Sequence, residues 1–81
     1  MSVIRIKMGI CEYYLEYETL DEIKQHFIKN QAPFIGLDTF DNYGGSSRGE
    51  RISRDDLSPK HIEWANEKCE WGARYLRGWK N

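Results

Sequence analysis

Two short runs near the start of the chain alternate apolar and polar residues with a period of two, the pattern of strands with one buried face. In residues 3–8, Ile4, Ile6 and Met8 fall on one side and Val3, Arg5 and Lys7 on the other. In residues 11–18, Cys11, Tyr13, Leu15 and Tyr17 oppose Glu12, Tyr14, Glu16 and Glu18. Gly9 and Ile10 lie between them, and glycine at the first central position suits a type II′ hairpin turn. The register this implies sets Met8 against Cys11, Ile6 against Tyr13 and Ile4 against Leu15 on the inner face. On the outer face it sets Lys7 against Glu12 and Arg5 against Tyr14, so a single register satisfies both faces.

The period then changes. Thr19 and Glu22 have the spacing of a capping box, and Leu20, Ile23, Phe27 and Ile28 share one helical face, with His26 on the polar one. Pro33 disfavours helical geometry just before itself, which predicts a stop near Asn30. Strands are expected over 34–40 and 50–53. Ser58 as N-cap and Pro59 at the first helical position open a last helix expected to run over 58–79. Gly72 and Gly78 weaken it locally. The expected fold is therefore α+β, a single domain over 1–81 in the order ββαββα, with an antiparallel sheet against two helices.

Taken as a helix, 58–79 carries two apolar stripes. Ile62, Ala65, Cys69, Ala73 and Leu76 form an aliphatic one; Trp64, Trp71, Tyr75 and Trp79 form an aromatic one centred roughly 115° away at 100° per residue. A helix lying across a curved sheet would bury both. A helix that turns only its aliphatic stripe to the sheet would offer the aromatic one to another chain, since Trp, Tyr and Arg dominate interface hot spots. The second candidate site is the polar stretch 41–49 and the arginines after it. Gly44, Gly45 and Ser46 with Arg48, Arg51 and Arg54 could cradle a phosphate or carboxylate, and Tyr43 is placed to stack or insert. An ordinary hairpin connection has the same composition. The stretch is neither a Walker A loop nor a dinucleotide fingerprint, because no Gly-Lys-Ser/Thr follows and no βαβ unit surrounds it.

Charge and composition narrow the classes. Twelve basic groups face thirteen acidic ones, for a net charge of −1. Residues 1–45 hold four basic and seven acidic groups, net −3, and residues 46–81 eight and six, net +2. Arg74, Tyr75, Arg77, Trp79 and Lys80 combine charge and stacking suited to single strands, but slight overall acidity, and Glu63, Glu67 and Glu70 on the same expected helix, rank that reading third. No run approaches the roughly 20 apolar residues of a membrane span, and no signal-peptide pattern opens the chain. Cys11 and Cys69 are too few for a disulfide framework, so a cytoplasmic protein with reduced thiols is expected.

His26 and His61 lack cysteine or carboxylate neighbours at metal-ligand spacing, and Asp38, Asp41 and Asn42 do not follow the calcium-loop pattern. No nucleophile, base and oxyanion donors assemble, so neither catalysis nor a cofactor is expected. The expectation is a non-catalytic protein-binding module, an inhibitor or adaptor, homodimeric if the aromatic stripe pairs with itself. Its size and aromatic richness suit an accessory protein of a phage or other mobile element. The alternative is a small-ligand or nucleotide-phosphate binder using residues 44–54.

Overall fold

A computed structural model of the protein describes residues 2–8, 11–41, 46–47, 49–70 and 72–80. Strands β1 (Ser2–Met8) and β2 (Cys11–Tyr17) lead into helix α1 (Leu20–Lys29). Then come β3 (Phe34–Asp41), β4 (Ser46–Ser47), β5 (Arg51–Ser53), a 3-10 turn (Arg54–Asp56), α2 (Pro59–Asn66) and β6 (Gly72–Trp79). All six strands join one mixed sheet in the order β2-β1-β6-β3-β4, with β5 beside β4 along the same edge of β3.

The hairpin has the register its alternation dictates: Met8 meets Cys11, Ile6 meets Tyr13, Ile4 meets Leu15, Lys7 meets Glu12 and Arg5 meets Tyr14. The turn residues Gly9 and Ile10 lie outside the described residues. Thr19 and Glu22 form the expected capping box at the start of α1. Its end is a Schellman motif: Ala32 N–H donates to the Phe27 carbonyl and Gln31 N–H to that of Ile28. Gln31 accordingly takes φ 57°, the left-handed region usually left to glycine. Ile23 and Phe27 are fully buried and Leu20 partly so, but Ile28, expected on the same face, is exposed.

The long helix expected over 58–79 is not formed. Ser58 and Pro59 open a helix as expected, but it closes at Asn66, and the chain returns as strand β6. The element order is thus ββαβββαβ rather than ββαββα, and the sheet is mixed because β1 and β6 run parallel. The physical reason is position. β6 bonds to β3 over its whole length and to β1 on its other side, so it joins the two halves of the sheet. Those ladders outweigh a helical segment with two glycines, each costing about 1 kcal/mol against alanine. Gly78 is closely packed as well: a Cβ there would displace the end of the Met8 side chain and lie 3.2 Å from Ala32 Cβ. Cys69, expected on an aliphatic helix stripe, instead lies half-buried between α2 and β6.

Both helices pack on one face of the sheet. Ile4 and Ile6 of β1, Ile35 and Leu37 of β3 and Leu76 of β6 meet Ile23 and Phe27 of α1 and Ile62 and Ala65 of α2. No described helix lies on the opposite face. Among the described residues no helix is long and apolar enough to cross a membrane.

Candidate functional site

Strand alternation sends every residue between two core positions to the helix-free face. On β6 these are Ala73, Tyr75, Arg77 and Trp79; on β3, Phe34, Gly36 and Asp38; on β1, Val3, Arg5 and Lys7; on β5, Arg51 and Ser53. The register aligns them in rows across the strands. Lys7 pairs with Arg77, Arg77 with Gly36, and Gly36 with Arg51. In the next row Trp79 pairs with Phe34, and Phe34 with Ser53.

Side chains tie the two rows together. The Arg51 guanidinium lies 4.9 Å from the centroid of the Phe34 ring and 5.7 Å from that of Trp79, within reach of the ring quadrupoles. Gly36 makes this arrangement possible, because a Cβ there would sit 2.5 Å from Trp79 Nε1 and 3.3 Å from Asp38 Oδ1. Asp38 is only 1 % exposed. Its carboxylate forms an ion pair with Arg77 at 3.4 Å and accepts a 3.3 Å hydrogen bond from the Gly49 N–H. A buried charge needs such partners. Tyr75, opposite Asp38, is buried too, whereas Tyr14 is 65 % exposed and Val3 47 %. At the carboxyl ends of the parallel pair β1 and β6, a cleft of about 480 Å³ is lined by Met8, Asn30, Arg77, Gly78, Trp79 and Lys80.

The residues expected to form one aromatic stripe are dispersed. Trp64 lies on α2 and packs against the core with the Arg74 guanidinium 5.2 Å from its ring. Arg74 also donates a 2.6 Å hydrogen bond to Glu67 Oε2. Tyr75 and Trp79 are on the helix-free face, and Trp71 and Tyr43 lie outside the described residues. The anion cradle is likewise not assembled among the described residues. Ser46 lies in β4, and Arg51 stacks on the sheet. Arg54 turns to the Ala32 carbonyl at 3.3 Å, where it fastens the end of α1. Gly44, Gly45 and Arg48 are outside the described residues.

Phe34, Gly36, Arg5 and Lys7 were not among the sequence candidates; Arg77 was weighed only as part of a basic, aromatic helix end, and Asp38 only as a metal ligand. Their signal is the period-two alternation of Phe34, Gly36 and Asp38 against Ile35 and Leu37, which marks a second face with a character of its own.

The histidines serve the fold. His26 is half-buried rather than on a free polar face, with Nε2 2.6 Å from the Tyr13 hydroxyl. Burial, then Lys29, holds its pKa below the usual imidazole value; burial, then Cys11, raises that of Tyr13. The hydrogen bond therefore joins a neutral hydroxyl and a neutral imidazole near pH 7. His61 Nδ1 accepts from the Ser58 N–H at 3.1 Å at the start of α2. Its pKa is lowered by burial and Lys60, against the opposing pull of Glu50 and Asp56. Among the described residues no three or more His, Cys, Asp or Glu side chains are grouped to hold a metal ion. Comparison with protein-family models, with curated proteins and with solved structures finds no match, so the reading of this chain rests on its own geometry.

Proposed function

We propose that this chain is a non-catalytic binding module whose working surface is the helix-free face of the sheet, centred on Arg51, Phe34, Trp79 and Arg77. The observation that carries the reading is the Arg51 guanidinium held over two aromatic rings on a face that no described helix covers. Trp, aromatic and Arg side chains in one patch are the usual anchors of recognition. As a structural device the stack is modest, about 0.5–1 kcal/mol at an exposed site. A photo-reactive amino acid in place of Ser53, beside Phe34 on this face, should yield adducts in cells, and the same group in place of exposed Gln25 on α1 should not. Equal yields at both positions would contradict the reading.

A second reading keeps the anion-binding role of residues 44–54. It is favoured by Arg51 being exposed and making no ion pair with another described residue. Inorganic phosphate would then raise the melting temperature of the native protein but not of Arg51→Ala. No rise in the native protein would sink that reading.

A further inference from the structure

We infer that the helix-free face takes single-stranded nucleic acid, lying across the β-strands with phosphates over Lys7, Arg77 and Arg51 and bases against Trp79 and Phe34. This rests on the binding-module reading and names its ligand. The argument begins with the rows. Lys7, Arg77, Gly36 and Arg51 lie in register across four neighbouring strands. At about 4.8 Å between strands, the row is about 14 Å long, enough for more than one phosphate of a strand crossing it. Directly beside it, Trp79 and Phe34 form an aromatic row. Cations tracking a backbone beside rings that accept bases is the general arrangement for single strands.

The face carries a slight excess of cations although the chain has a net charge of −1. Arg5, Lys7, Arg51 and Arg77 are its cations on β1, β5 and β6, while Asp38 is buried against Arg77. Glu12 and Glu16 share this face from the outermost strand β2, with Glu12 in register beside Lys7 and Glu16 beside Val3, so the excess of cations lies toward β6 and β5. Glu63 sits on α2, which packs on the other face, and Glu67 is bound to Arg74 there.

Other occupants fit less well. A protein interface needs an apolar centre, yet the aliphatic residues described on this face are only Val3 and Ala73. A duplex would have to admit the sheet into a major groove about 12 Å wide, and five strand positions span about 19 Å.

The test uses the intact protein and labelled 12-nucleotide oligo-dT and oligo-U, with binding read by fluorescence anisotropy. Three or four phosphate contacts, each worth a slope of about 0.7, should weaken binding about 20- to 50-fold between 50 and 200 mM salt. Lys7→Ala and Arg51→Ala should each weaken binding and lower the slope by about 0.7. Phe34→Leu should weaken it about fivefold or more, the loss of one stacked base, and leave the slope unchanged. Lys60→Ala, on α2, should change neither, and circular dichroism confirms that each variant is folded. No binding at 50 mM salt would overturn the inference. So would preference for duplex, or a loss in Lys60→Ala equal to that in Lys7→Ala. If oligonucleotides fail while a cross-linker at position 53 still captures a polypeptide, the binding face stands and its ligand is wrong. If both fail, the module reading falls with it.

Discussion

On the helix-covered face, Ile4, Ile6, Ile35, Leu37 and Leu76 are almost wholly removed from water and meet side chains of α1 and α2. On the helix-free face the same strands show Arg5, Lys7, Phe34, Arg77 and Trp79, joined by Arg51. The two sets interleave residue by residue along one backbone, so a strand that holds the fold on one side displays chemistry on the other. The contrast teaches that stability and recognition can be perturbed separately here. Each side has its own tryptophan and arginine pair: Trp64 with Arg74 against the helices, Trp79 with Arg51 on the free face.

The sharpest break in that comparison is a cavity on the covered side. Phe27→Ala removes a fully buried ring and should cost about 3–5 kcal/mol in chemical denaturation. Phe34→Leu on the other face should cost less than about 1.5 kcal/mol, as a swap between apolar side chains. Equal costs would erase the distinction. Next in size is Arg77→Met, which leaves the Asp38 carboxylate buried with the Gly49 N–H as its remaining described partner. It should destabilise the protein by about 1–3 kcal/mol, and Asp38→Asn in the same chain should recover part of the loss.

A pH profile sharpens the covered side. His26 and His61 both have folded pKa values below the unfolded one of about 6.5. The unfolded chain therefore binds more protons as pH falls through that range, and stability must fall with it. The contribution is fully present above about pH 6.5 and is lost as pH drops through the lower folded values. The melting temperature should decline from pH 7.5 to pH 5.5, and the double variant His26→Gln, His61→Gln should flatten that decline. The smallest effect concerns the end of α1. Gln31→Gly relieves a side chain at φ 57° and should raise stability by about 1 kcal/mol.

How much of this was legible in the sequence follows the range of each interaction. The hairpin register, the Thr19–Glu22 box and the Ser58–Pro59 helix start depend on neighbours a few residues away, and each could be read directly. Strand β6 could not. Tyr75 and Trp79 are four residues apart, and with Trp71 they fit a helical stripe; Tyr75, Arg77 and Trp79 fit a strand equally well. Two ladders to β1 and β3 decide between them, and both partners lie more than thirty residues away in the chain. The candidate site inherited that ambiguity. Arg51 and Trp79 were each legible as candidates, but the row of Lys7, Arg77 and Gly36 exists only once β6 lies between β1 and β3. Strand β6 also separates Arg77 and Trp79 from Glu63 and Glu67, one of the two objections to nucleic acid, while the net charge of −1 stands.

The most direct test of the division between faces uses the two tryptophans as reporters. Two variants are needed, one keeping only Trp79 (Trp64→Phe, Trp71→Phe) and one keeping only Trp64 (Trp71→Phe, Trp79→Phe). Each is titrated with oligo-dT and with an acidic peptide while indole fluorescence is followed. A saturable change in the Trp79 protein with none in the Trp64 protein is the expected result. A change confined to Trp64, or a flat response from Trp79 to both probes, would contradict the assignment of binding to the helix-free face.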